Sequence, residues 1–210
     1  MTSLHPNGWD STNHYMSLGG QCGQSCPCCR AQVEETNIGV CPICRPNVIR
    51  NRELDPILFW KPNHDYGFLS NWFYSKFTVN EVTFSCVEQY IMYMKAIIFK
   101  DYYTAQQILN TTDPGRHKFL GRKVKDFKEE IWISSRYNIL LEGCKAKFQQ
   151  NLDLKEKLIS TRPKILAEAS PYDNIYGIGL RSNDYRSKDK QQWNGLNLLG
   201  NALMDIRKDL

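Results

Sequence analysis

The segment 84–100, FSCVEQYIMYMKAIIFK, constrains this chain more than any other part of it. Ser85 followed three positions later by Glu88 has the form of a capping box, so the pattern predicts a helix with Ser85 as its N-cap. At 100° per residue, Val87, Tyr90, Ile91, Met94, Ile97 and Ile98 gather on one side, and that side must face a core. Met92 and Phe99 widen the apolar arc beyond an ordinary stripe. Glu88 and Lys95 are seven residues apart, about two turns or roughly 10 Å along the axis, and point the same way. A carboxylate or ammonium held in an apolar wall is costly unless it is paired or put to use, so the two mark a candidate site. The plainer alternative is that Glu88 only caps the helix and Lys95 snorkels to water.

A chain of 210 residues can bury one substantial core with a small accessory module beside it. The net charge of +5 is mild; it favours phosphate-bearing ligands or nucleic acid without identifying either. No apolar h-region follows Met1, and no apolar run approaches the ~20 residues that span a bilayer, so a cytoplasmic or nuclear protein with no membrane partner is expected.

Six of the eight cysteines fall between Cys22 and Cys44, while Cys86 and Cys144 stand alone in helical patterns as small buried hydrophobes. In a reducing compartment such clustering argues for metal rather than disulfides. Cys26-Pro-Cys-Cys29 and Cys41-Pro-Ile-Cys44 form two C-x-x-C knuckles, the spacing of a closed four-cysteine zinc site. Cys26, Cys29, Cys41 and Cys44 are the expected ligands, with Cys22 and Cys28 as competitors. Four thiolates saturate zinc, so the metal would be structural, and its binding would supply the module's folding energy. No organic cofactor is called for.

Positions 1–20 are polar and aperiodic and read as a flexible tail, 21–50 as the zinc-knuckle module, 45–56 as a linker, and 55–210 as the main domain. Short strands are predicted at 57–60, 76–79, 82–84 and 164–167, the middle two joined by an Asn80-Glu81 turn. Helices are predicted at 102–110, stopping before Asp113-Pro114-Gly115, from an Asp126/Glu129 capping box to about 150, after Asp153, and at 196–208. Along the long helix Ile133, Tyr137, Leu140, Leu141, Cys144 and Phe148 keep the helical period. The fold class is helix-dominated α+β with a minor antiparallel sheet.

From Gly67 onward several motifs stand in order: Phe68-Leu-Ser-Asn71; Val87-Glu-Gln-Tyr90 with Lys95-Ala96; Gly121-Arg122; Trp132; Lys147-Phe148; Leu166-Ala-Glu168; Ser170-Pro-Tyr-Asp173 with Tyr176-Gly-Ile-Gly179; and the run Trp193 to Arg207, WNGLNLLGNALMDIR. Together they resemble the NADAR (YbiA-like) family across essentially the whole second domain. One departure is visible: the aromatic before Gly177 is usually Trp in that family and is Tyr176 here, which keeps a stacking surface. The resemblance implies N-glycosidase chemistry on ribose-linked substrates, either removal of ADP-ribose from modified guanine in DNA or RNA, or cleavage of phosphorylated riboflavin-pathway intermediates. It also implies that the acidic and basic motif residues line one pocket.

Breaking a glycosidic C–N bond builds positive charge on the ribose and needs a proton for the departing nitrogen, tasks that a carboxyl pair can divide. Glu88 and Asp173 are the expected pair, with Asp173 in a loop where Gly177 allows backbone to approach a ligand. Lys95 offers a covalent alternative, its amine attacking the ring-opened sugar to form a Schiff base. Arg122 and Lys147 are candidates for phosphate contacts, Lys147 equally for a solvated helix face. Tyr90, Trp132 and Tyr176 can stack on a base, and Trp132 can equally be plain core. Asn71 and Asn197 can fix sugar hydroxyls or serve as loop and cap residues, and the resemblance adds Gly177 and, from the closing motif, Gly200 to the expected substrate-binding residues. The expected partner is ADP-ribosylated nucleic acid or an ADP-ribose-containing small molecule. A silent sensor of ADP-ribose or NAD is the third reading, and the acid-rich pocket weighs against it.

Overall fold

The computed structural model describes residues 55–210; the tail, the knuckle module and its candidate ligands Cys26, Cys29, Cys41 and Cys44 lie outside the described residues. The elements run β1 (Ile57–Phe59), β2 (Phe77–Val79), β3 (Val82–Phe84), α1 (Val87–Ile98), α2 (Tyr102–Leu109), α3 (Pro114–Gly121), α4 (Glu129–Gln150), α5 (Leu152–Ser160), β4 (Leu166–Glu168) and α6 (Leu198–Asp209). The helix-dominated α+β class holds. Among the described residues no helix is long and apolar enough to cross a membrane.

Helix α1 is the hub, packing on α2, α3 and α4, while α4 continues onto α6 and α6 onto β4. Val87, Tyr90, Ile91 and Ala96 are buried against a core that includes Leu140, Cys144 and Phe148 of α4 and Leu199, Ala202, Leu203 and Ile206 of α6. Met94, Ile97 and Ile98 are only partly buried, and Ile133 of α4 is half exposed, so the predicted stripe is fully buried only in the first half of α1 and only toward the C-terminal end of α4.

Several caps differ from expectation. The N-cap of α1 is Cys86, without a side-chain cap. The reciprocal partner of Ser85 is Gln89, whose Oε1 accepts from the Ser85 N–H at 2.6 Å and from its hydroxyl at 2.9 Å. Glu88 is therefore released from capping. The long helix begins at Glu129 with no side-chain cap, and Asp126 sits at φ 50° instead of forming a box. Asp113-Pro114-Gly115, read as a stop, opens α3: Asp113 accepts from the Gly115 N–H at 2.9 Å and Pro114 occupies the first turn, where its missing N–H costs nothing.

The β2–β3 hairpin is antiparallel, pairing Phe77 with Phe84 and Val79 with Val82, and both turn residues, Asn80 and Glu81, take positive φ as a tight primed turn requires. The second pair differs from the expected antiparallel sheet. β1 and β4 run parallel, Phe59 opposite Glu168, and all of α1 to α5 lies between them in sequence. Gly200 lets α6 approach β4, because a Cβ there would collide with the Leu166 carbonyl oxygen, a backbone atom that cannot yield. Gly200→Ala should accordingly cost roughly 1–3 kcal/mol, read as a lower midpoint in urea unfolding.

Candidate active site

The parallel pair carries two chain segments to one place. Beyond β1 the chain passes through Trp60–Asn63, and beyond β4 it enters the loop from Ser170 to Tyr176. Together with Ser70, Asn71 and Trp72, with Glu88 and Met92 of α1, with Lys118 of α3 and with Arg122, these residues enclose a cavity of about 740 Å³.

Backbone hydrogen bonds fix its walls. The Glu88 N–H, which α1 cannot satisfy internally, donates to the Asn71 carbonyl at 3.0 Å and so holds Asn71 beside the carboxyl. Asn197, at φ 52°, accepts from the Glu168 N–H at 3.1 Å and donates to the Leu166 carbonyl at 2.9 Å. The Asn197 amide thus clamps the end of β4 from which Glu168 enters the cavity. Asp173 Oδ1 accepts from the N–H groups of Ile175 at 3.0 Å and Tyr176 at 2.8 Å, and its Oδ2 lies 3.6 Å from Lys118 Nζ.

Electrostatically the cavity is a crowded acid site. Burial pushes the Glu88 carboxyl up to about 7; Lys118 opposes the rise, Asp173 adds to it, and the Trp72 side chain and Arg122 pull against it. Burial also lifts Glu168 to about 8, with Asp173 and Glu88 adding like-charge repulsion and Lys118 opposing. Among the described residues three buried side-chain polar atoms have no hydrogen-bond partner: Asn71 Oδ1, Glu168 Oε2 and the Tyr176 hydroxyl. All three belong to residues that line this one cavity. An unmet buried polar group costs on the order of 1–3 kcal/mol, so their concentration here is the mark of a site made for a polar ligand.

The predicted site residues divide. Glu88, Asp173, Asn71, Arg122 and Tyr176 come together around the cavity. Lys95 is not among its lining; its ammonium sits 4.1 Å over the Phe127 ring and 5.7 Å from Trp132, and burial lowers its pKa. Trp132 is correspondingly buried in the core. Tyr90 is also core, packed edge-on to Phe77 and Phe84, with its hydroxyl donating to Glu142 at 2.6 Å. Gly177 is needed for approach by the protein itself, since a Cβ there would lie 2.9 Å from both the Asp173 and Glu168 carbonyls. Asn197 and Gly200 position β4 rather than line the cavity. Lys147, neither on a solvated face nor in the cavity, is fully buried and donates to the carbonyls of Phe68 at 2.7 Å and Ser70 at 3.1 Å.

Among the lining residues not singled out from sequence are Glu168, Lys118 and Trp72. Glu168 stood within a quoted motif, and its position at the end of an apolar strand was the available signal. Lys118 was hidden because no helix is predicted beyond Asp113-Pro114-Gly115; His117 beside it is buried, its Nδ1 3.8 Å from Cys86 Sγ. Trp72 gave no sequence signal.

Known proteins share this domain. Protein irg-1 of Caenorhabditis elegans is 42% identical over 129 residues, which is 60% of this chain and 61% of that protein, so the chain spans less than two thirds of that relative. A protein of Acanthamoeba polyphaga mimivirus named as an N-glycosidase is 40% identical over 122 residues, covering 58% of this chain and 72% of the viral one. The NMR structure of the E. coli protein YbiA matches with a TM-score of 0.62 at 26% identity, over 74% of this chain and 84% of that one. With the NADAR domain model matching residues 58–210, on the same elements that build the cavity, the chain belongs to the NADAR family.

Proposed function

We propose that this protein is an N-glycosidase that hydrolyses a ribosyl C–N bond, removing ADP-ribose from ADP-ribosylated guanine in DNA or RNA. The observation that carries this reading is the pair of buried, proton-holding carboxyls, Glu88 and Glu168, in one cavity with unpartnered polar atoms of Asn71, Glu168 and Tyr176. Near neutral pH the higher pKa leaves the proton on Glu168 and the lower lets Glu88 ionise. Glu168 protonates the departing guanine nitrogen as the bond to the anomeric carbon breaks. Glu88, with Asp173, stabilises the positive charge that spreads onto the ribose ring and takes a proton from the attacking water. The water oxygen bonds to the anomeric carbon, and a proton returned to Glu168 completes the cycle. Lys118 and Arg122 supply positive charge for the diphosphate.

The amines lining this cavity are Lys61 and Lys118, so a Schiff-base route through the ring-opened sugar would use Lys118, which stands beside Asp173, in place of Lys95. The four N-terminal cysteines would hold a structural zinc that helps grip the polymer.

Incubation with an ADP-ribosylated guanine oligonucleotide should release free ADP-ribose. Tight ADP-ribose binding without release from any glycoside would instead make it a sensor, and preferential turnover of a phosphorylated riboflavin-pathway intermediate would change the substrate. The pH profile of kcat/KM should be a narrow bell with its maximum between about 7 and 8, one limb for each member of the Glu88–Glu168 pair. A flat profile from pH 5 to 9 would count against these acids.

A further inference from the structure

Trp60 and Asn63 wall two cavities. On one side lies the acid site; on the other is a second groove of about 710 Å³, lined further by Leu58, Phe59, His64, Asp65 and by Arg181 to Asn183. None of these further residues takes part in the chemistry assigned above. The partition between the two spaces is aromatic: Trp60 packs against Tyr172 at 6.2 Å between ring centroids and edge-on to His64 at 6.4 Å. Tyr172 is 78% exposed, an unusual state for a large ring that rests on another ring. Cations frame it. Lys61 Nζ stands 4.8 Å over the Trp60 ring, and Arg181 Nη2 donates to the Tyr172 hydroxyl at 3.2 Å. Asp65 is the one acid in the lining of the groove.

Flat rings beside cations, with carboxamides at the edge, make a surface on which any base can stack while its phosphate meets positive charge. A small glycoside confined to the acid site leaves the second groove without a use. A polymer, however, must continue beyond the guanosine that carries the ADP-ribose, and the groove begins on the far side of the Trp60 wall.

We propose that this groove binds the nucleotide next to the reacting one, so that the substrate is a single-stranded nucleic acid and not a free nucleoside. Rings that stack on a base need that base unpaired, and the cavity needs the modified guanine outside a helix, so duplex substrate is disfavoured. The proposal rests on the N-glycosidase reading of the first cavity and adds the polymer to it.

The test compares ADP-ribose release from ADP-ribosylated guanosine and from a single-stranded oligonucleotide carrying the same modification, using the full chain. Arg181→Gln should raise KM for the oligonucleotide about tenfold and leave nucleoside turnover within about twofold of wild type. Its log KM should depend less steeply on log salt, by about 0.7, the value for one phosphate contact on a single strand. His64→Ala, which leaves the Arg181–Tyr172 contact in place, should give the same split between substrates. Equal losses on both substrates, or no change on either, would overturn the groove. Wild type inert on both would instead overturn the glycosidase reading. The groove is then judged by fluorescence anisotropy of an unmodified single-stranded oligonucleotide: binding weakened by Arg181→Gln supports it, and unchanged binding rejects it.

Discussion

Glu168→Gln should lower kcat for glycosidic cleavage by about a hundred- to ten-thousand-fold, the range for loss of a positioned proton donor, and at the same time stabilise the fold above neutral pH. The two effects have one cause. Burial and two neighbouring acids hold the Glu168 proton up to about 8. A raised carboxyl pKa means that the folded state binds a proton the unfolded chain has already released. Its contribution to stability is therefore fully present below the unfolded value near 4.5 and is lost as pH rises through about 8. Once Glu168 is charged, wild type carries a desolvated carboxylate that costs on the order of 5 kcal/mol, the rise from 4.5 to about 8 at about 1.4 kcal/mol per unit, and the neutral amide escapes that cost. Thermal unfolding at pH 5 should give similar midpoints for variant and wild type, and at pH 9 a higher midpoint for the variant. A variant that melts lower at both pH values would make Glu168 a structural hydrogen-bonding group. Glu88→Gln should behave alike, with the transition nearer pH 7.

Lys147→Met should be the most damaging change outside the cavity. The Lys147 ammonium is entirely buried, and burial brings its pKa down to about 8, with Cys144 and Cys86 opposing. What retains it are the carbonyls of Phe68 and Ser70, just before Asn71. Methionine fills much of the same volume but takes the side-chain donor from the Phe68 carbonyl and leaves the Ser70 carbonyl with only the Phe73 N–H, at about 1–3 kcal/mol for an unmet group; relief from burying a charge offsets part of this. A net loss of about 1–3 kcal/mol is expected in urea unfolding. Because Asn71 holds the Glu88 N–H, kcat/KM should fall as well, even under conditions where the variant is folded. Full activity in a folded Lys147→Met would show that the 68–71 turn holds its shape without the cation.

Much of the local structure was legible in the residues. The apolar period of α1 follows from side-chain spacing alone, and so do the hairpin around Asn80-Glu81 and the amphipathic α6. The errors arose where two local signals competed. Ser85 had two possible partners, Glu88 and Gln89, and only the depth of the site shows why Gln89 binds it: the Gln89 amide also donates to the carbonyls of Ile108 and Thr111, while Glu88 turns to the cavity. At Asp113-Pro114-Gly115 the same three residues spell either a helix stop or a helix start.

By itself the chain determined that a buried helix bears an acid on its wall and that the domain is helix-rich, since each depends on spacing along one segment. Tertiary structure alone decided that β1 pairs in parallel with β4, that Glu168 and Lys118 join Glu88 and Asp173, and that Lys95, Tyr90 and Trp132 stand apart from them. The reason is that periodicity tells which face of an element avoids water, whereas a cavity forms where faces of distant elements fail to close. Which polar groups look into that gap depends on register and crossing geometry that no single segment encodes.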